Sequence, residues 1–102
     1  MQSGRHRVHV EKPALKEALN RRKHGIGFSL ADVICNDPLS ITVYDRFENG
    51  EDRWHTFGTV KGVVFVVVHT YPDPEDDQWV RVIGLRKATA QERKNYEERR
   101  LD

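Results

Sequence analysis

The chain has a single cysteine, Cys35, so no disulfide can form within it, and a stapled secreted scaffold is excluded. No apolar run approaches the ~20 residues needed to cross a membrane, and the longest, Val63 to Val68, is strand-sized. The opening MQSGRHRVHV is basic but lacks the apolar segment of a signal peptide, so a cytoplasmic location without membrane association is expected. The five histidines are scattered and are not paired with acids at ligand spacings. No metal site and no cofactor is therefore expected.

What is present is charge. Of the 102 residues, 32% are charged, and the net charge is only +1. That balance hides an uneven distribution. Four of the 16 acids, Asp73, Glu75, Asp76 and Asp77, crowd into YPDPEDDQW, leaving 12 to face 17 lysines and arginines elsewhere. The basic residues cluster at Arg21-Arg22-Lys23, Arg86-Lys87, Arg93-Lys94 and Arg99-Arg100. Such a surface suits a polyanion, although charge runs also serve simply as solvated faces. The length fits one small domain over residues 1–102, with a single compact core.

Pro13 opens a helix to about His24, with Leu15, Ala18, Leu19 and Arg22 at helical spacing and Gly25 as its stop. Glu17 and Arg21 are placed for an i,i+4 pair. Ser29 reads as the cap of a second short helix, with Phe28 and Val33 as a hydrophobic staple. Four strands follow: Ile41–Tyr44, Arg53–Val60, Val63–Thr70 and Trp79–Leu85, with hairpin signals at Asn49-Gly50 and Lys61-Gly62. Tyr71 to Gln78 reads as an exposed loop. Thr89-Ala90-Gln91-Glu92 is a capping box opening a polar helix anchored by Tyr96 and Leu101. The expected architecture is α+β: two N-terminal helices, a four-stranded antiparallel sheet and a C-terminal helix. Residues 1–11 are either a flexible arm or an edge strand, since His6, Val8 and Val10 alternate with Arg5, Arg7 and His9.

Lys16, Asn20, Lys23, His24 and Gly25 stand at the spacing Lys-x3-Asn-x2-Lys-His-Gly. Phe28, Ala31 and Asp37-Pro38 follow, then Asp45, Gly50-Glu51-Asp52-Arg53 and Gly58. The closing pattern is Arg81, Ile83, Arg86, Ala88, Glu92 and Tyr96. In this order the residues resemble the BrnT-type ribonuclease toxins of bacterial toxin–antitoxin pairs, over nearly the whole chain from Lys16 onward. Three places depart from the family pattern: Lys12-Pro13 before the first helix, the longer acidic loop from Tyr71 to Gln78, and Gly84-Leu85 before Arg86. The resemblance implies a RelE-like fold and metal-independent RNA cleavage. It also implies inhibition by a small BrnA-like antitoxin, with DNA reached only through that antitoxin.

RNA cleaved by its own 2′-hydroxyl needs an aligned attack, proton transfer and stabilisation of phosphorane charge. Arg86, at a strand end, is the first candidate for the phosphate; the alternative is a surface arginine paired with an acid. Strict alternation puts Arg81 on the face of Ile83 and Leu85, opposite Arg86, unless a bulge near Gly84 changes the register. Otherwise Arg81 makes a structural ion pair, with Glu51 a possible partner. Arg53 and His55 share one strand face as a cation and a proton carrier, if a helix does not cover them. His24 is an acid/base or phosphate contact, or a helix-capping histidine. Lys23, Lys87, Arg93 and Tyr96 complete the candidate RNA surface, Tyr96 with packing as its alternative role. His69 reads as a core or sheet-edge histidine, and Trp54 and Trp79 as core. A non-catalytic binding module of the same fold, acting as partner and co-repressor of an antitoxin, would use the same residues.

Overall fold

Two dipeptide turns establish the sheet. Asn49 (φ 54°) with Gly50 (φ 82°), and Lys61 (φ 50°) with Gly62 (φ 81°), form left-handed pairs that match the twist of two-residue hairpins. The computed structural model describes residues 7–99. In chain order it comprises β1 (His9–Glu11), α1 (Ala14–His24), α2 (Ser29–Cys35), β2 (Ile41–Glu48) and β3 (Glu51–Val60). β4 (Val63–Thr70), β5 (Trp79–Lys87) and α3 (Ala90–Glu97) complete it.

The expected four-stranded antiparallel sheet behind two N-terminal helices is corrected by this topology. The sheet has five strands in the order β1-β5-β4-β3-β2, and β1, which precedes the helices, runs parallel to β5. A three-residue strand carries too little alternation to be read with certainty, and its partner lies some seventy residues away in the chain. Its hold is tertiary. Val10 is buried, the Val8 N–H donates to Asn36 Oδ1 at 2.8 Å, and Glu11 accepts from Trp79 Nε1 at 3.1 Å. Of the residues read as a possible edge strand, Arg5 and His6 lie outside the described residues, as does Leu101.

One sheet face carries α2, whose Ala31 and Ile34, with Phe28 just before it, pack with Phe65, Val67, Val80, Val82 and Leu85. Gly58 allows that approach: a Cβ there would stand 2.9 Å from Ile34 Cγ2. The other face is partly covered by α3, through Tyr96 packed with Phe57, Val64 and Val66. The capping box of α3 forms as its sequence implies, with Glu92 N donating to Thr89 Oγ1 at 3.1 Å and Thr89 N to Glu92 Oε1 at 2.9 Å. At α2 the local reading differs. Phe28 occupies the cap position, and its N–H is taken by Glu17 Oε2 at 2.7 Å, so the acid of α1 replaces the expected Ser29 cap. Val33 is 54% exposed and does not staple the fully buried Phe28.

Two bulges shape the strands. In β2 the register shifts between Tyr44 and Arg46, which extends the strand to Glu48. In β5, Val68 faces Gly84 while His69 faces Val82, leaving Ile83 as the extra residue. Val80, Val82 and Leu85 consequently all enter the same core, and Arg81 and Arg86 both fall on the opposite face. Beyond Arg81, β5 has no neighbouring strand on its β1 side among the described residues. The buried Asn20 of α1 takes that place: its Nδ2 donates to Leu85 O at 2.8 Å and its Oδ1 accepts from Leu85 N at 3.0 Å. A third bond, Asn20 Nδ2 to Ile26 O at 2.9 Å, ties down the loop after α1. Asn20→Ala would leave a buried N–H and C=O without partners, so it should cost about 2–4 kcal/mol, measurable as a lower urea midpoint. An unchanged midpoint would show that water replaces the amide without loss.

Candidate active site

On the sheet face that α3 partly covers, Arg53, His55 and Phe57 follow one another at every second position of β3. His55 pairs across with Val68, and Val68 in turn with Gly84; Phe57 pairs with Val66, and Val66 with Arg86. Arg86 and His55 therefore sit on adjacent rows of one surface. Their side chains are well shielded, at 28% exposed for Arg86, 17% for His55 and 14% for Arg53. Asp45, the extra residue of the β2 bulge, places Oδ2 3.5 Å from His55 Nε2. Burial pushes the His55 pKa below the ordinary 6.5, against the pull of Asp45; the Arg86 and Arg46 charges lower it further and Glu92 opposes them. A neutral imidazole at cellular pH is a proton acceptor. Arg53 Nη1 lies 3.6 Å from Glu48 Oε2, and its Nε is buried with no hydrogen-bond partner among the described residues.

The two β5 arginines, brought to one face by the bulge, use their guanidinium groups differently. Arg81 gives Nε to Glu11 Oε2 at 2.8 Å and Nη2 to Glu11 Oε1 at 3.4 Å. The partner is Glu11 on β1 rather than the Glu51 considered from sequence, and it occupies the whole side-on fork. Arg86 instead gives Nη1 to Glu92 Oε1 at 2.8 Å and Nη2 to Glu92 Oε2 at 3.1 Å, with Lys87 O at 3.3 Å from Nη1. This is the end-on fork. The Nε–H and the second Nη2–H of Arg86 have no partner among the described residues. Two parallel donors in that arrangement match two oxygens of a phosphate.

Arg86 also lies where two hollows meet. A groove of about 340 Å³ runs between α1 and β5, lined on one side by Lys16, Leu19, Asn20, Lys23 and His24. Its other wall is Val68, Ile83, Gly84, Leu85 and Arg86. A neighbouring hollow is lined by His24, Gly25, Ile26, Arg86, Lys87 and Thr89. The structure thus gathers Lys23, His24, Arg86 and Lys87 around one cationic cleft, with His55 and Arg53 on the adjoining sheet face. Arg93 is exposed on the first turn of α3 and lines neither hollow. Tyr96 is 4% exposed, stacked on Phe57 at 6.4 Å, and donates its hydroxyl to Leu39 O at 3.1 Å, so its ring is occupied by packing.

Other reactive groups are accounted for by burial. His69 is 1% exposed, pairs with Thr56 Oγ1 at 2.7 Å, and has a pKa pushed down to about 4. The Cys35 thiol is pushed up to about 12, chiefly by burial, which removes it as a nucleophile at neutral pH. Trp54 and Trp79 are half-buried rather than core, Trp54 lying edge-on to Tyr44 and Tyr71. Sequence reasoning did not place Glu92 or Asp45 in the site. Glu92 could have been found, because the third helical residue of a capped helix lies only one turn of chain beyond Arg86. Asp45 could not, since its position depends on an unsignalled bulge.

The Arg86 pair holds the Glu92 carboxyl down to about 2, aided by the Thr89 N–H, from an ordinary 4.5. A depressed acid stabilises the fold fully above the ordinary value and loses that contribution as pH falls toward the depressed one. The stability gap between wild type and Glu92→Gln should therefore be constant above about pH 4.5 and close on the way to about pH 2. Denaturant titrations across that range measure it; a gap that widens in acid would contradict the pairing.

No curated protein matches the chain. A family model does match it over residues 14–92, from the start of α1 to Glu92, and its description is the ribonuclease toxin, BrnT, of type II toxin–antitoxin systems. That span contains every candidate side chain except Arg93 and Tyr96. By this match, over most of its length, the chain belongs to the BrnT family of ribonuclease toxins, whose members act on RNA and are paired with an antitoxin protein.

Proposed function

We propose that this chain is an endoribonuclease that cleaves RNA through attack of the 2′-hydroxyl on the adjacent phosphate, with no metal taking part. The observation that carries the reading is the side-on fork of Arg86, without a partner among the described residues, beside the shielded His55, whose pKa burial lowers. In the reaction His55 takes the 2′-hydroxyl proton as the 2′-oxygen bonds to phosphorus. The bond from phosphorus to the 5′-oxygen breaks, leaving a 2′,3′-cyclic phosphate and a 5′-hydroxyl. Arg86 binds two non-bridging oxygens, where negative charge grows in the transition state. Arg53 adds a second positive charge on the same face. His24, which lines the cleft beside Arg86, gives a proton to the departing 5′-oxygen, while Lys23 and Lys87 hold flanking phosphates in the cleft. Arg81 has a structural role in this reading, joining β1 to the sheet through Glu11.

In the cell the enzyme works in the cytoplasm and is silenced by a small BrnA-like antitoxin that binds DNA on behalf of the pair. Leu15 and Leu19, 72% and 51% exposed on α1, leave an apolar strip beside the cleft that suits such a partner. That strip also favours the second reading, a non-catalytic module that only holds its antitoxin.

The two readings separate on purified protein with single-stranded RNA in EDTA. Wild type should cut the RNA, and Arg86→Ala should lose about 10²–10³-fold in kcat, the usual cost of removing a transition-state donor. Arg81→Ala should stay within about tenfold of wild type, because it removes no transition-state contact. RNA left intact by folded wild type would remove the enzyme reading and leave the binding module. A second profile follows from His55. It is faced by Asp45 and Arg46 of β2, Arg86 of β5 and Glu92 of α3, and their balance with burial keeps its pKa below 6.5. The acid limb of kcat/KM should accordingly have its midpoint below 6.5 and vanish in His55→Gln. A midpoint above that value would point to another base.

A further inference from the structure

The capping box explains Glu92 as a helix-starting residue, yet its carboxylate does a second thing. Oε1 accepts from the Thr89 backbone N–H at 2.9 Å and from Arg86 Nη1 at 2.8 Å, while Oε2 accepts from Arg86 Nη2 at 3.1 Å. Nη1 is held additionally by the Lys87 carbonyl at 3.3 Å. Three contacts thus fix the plane of the guanidinium against the first turn of α3. They consume the end of the fork and leave its side.

We infer that Glu92 is a positioning residue for Arg86, clamping the guanidinium by its end-on donors so that Nε–H and the second Nη2–H are presented together to a phosphodiester. This rests on the reading of Arg86 as the phosphate-binding residue. Arg81 supplies the internal comparison. It stands on the same strand and the same face, but Glu11 takes its Nε and Nη2, so the side-on pair that Glu92 leaves to Arg86 is already filled on Arg81. The two arginines thus differ in which fork their glutamate fills. A phosphate on Arg86 would complete a carboxylate–guanidinium–phosphate chain without displacing Glu92. The arginine then loses little rotational freedom on binding, because the helix has already fixed it. Lysine at this position would offer a point charge with no plane to clamp.

Glu92→Gln tests the inference, since glutamine at the third helical position still completes a capping box and keeps α3 started. On an RNA oligonucleotide kcat should fall about ten- to a hundredfold while KM stays within a few-fold, the signature of a misaligned transition-state contact. The Arg86 Nε–H resonance gives a readout independent of cleavage. In wild type it should shift on addition of a 2′-deoxy oligonucleotide, which cannot be cut; in Glu92→Gln that response should be lost or weakened about tenfold. Wild-type kinetics in a folded Glu92→Gln protein would overturn the inference. Tighter oligonucleotide binding by the variant would overturn it too, by showing that the carboxylate competes with phosphate. Should wild type leave RNA intact, the ribonuclease reading fails by itself, and the oligonucleotide titration alone decides whether Glu92 positions Arg86 in a binding site.

Discussion

A side-chain amide standing in for a missing strand holds this fold together where it matters. β1 pairs with only the first three residues of β5, and past Arg81 the strand would expose its backbone. Asn20 closes that edge by meeting both polar groups of Leu85, and through Ile26 it fixes where α1 ends. The contact also accommodates the bulge. Gly84 stands beside it, where a Cβ would come within 3.3 Å of Asn20 Oδ1, so the small residue and the amide are fitted to each other. From this joint follow the reversal of Arg81 onto the face of Arg86 and the groove between α1 and β5.

Electrostatics then separates residues that topology has brought together. Two arginines share one face, and each meets one glutamate, but in different geometry. Glu11 closes the side of the Arg81 guanidinium and joins the N-terminal strand to the sheet. Glu92 closes the end of Arg86 and leaves its side available. The neighbouring histidine is kept neutral by shielding, with Asp45 opposing that effect without reversing it. A fixed cation beside a neutral base is what attack by a ribose hydroxyl on its own phosphate requires.

Much of this was legible in the chain, wherever the cause was local. The Asn49-Gly50 and Lys61-Gly62 hairpins, the Gly25 stop and the Thr89 capping box each depend on a few adjacent residues, and each appears in the structure. The parallel β1 was not legible as such, because its pairing spans the chain and its own pattern is three residues long. The helix α1 misled in a different way. Its helically spaced Leu15 and Leu19 look core-facing, yet they stay exposed while the polar Asn20 and Glu17 turn inward to bind backbone. Hydrophobic spacing cannot reveal a helix that docks through hydrogen bonds. The site was half legible for the same reason: alternation identified Arg53 and His55 as neighbours and made a bulge near Gly84 the condition for Arg81 to join Arg86, and that bulge is present, but the carboxylates that each arginine meets are tertiary.

The most direct measurement is a crystal structure of the protein bound to a short RNA whose attacking 2′-hydroxyl is replaced by hydrogen. The expected result is a phosphate accepting from Nε and Nη2 of Arg86, with Glu92 still on the end of the guanidinium and the adjacent ribose 2′-carbon facing His55. A phosphate seated elsewhere, with Arg86 and Glu92 undisturbed and His55 remote from the ribose, would contradict the assignment of this face as the site of RNA cleavage.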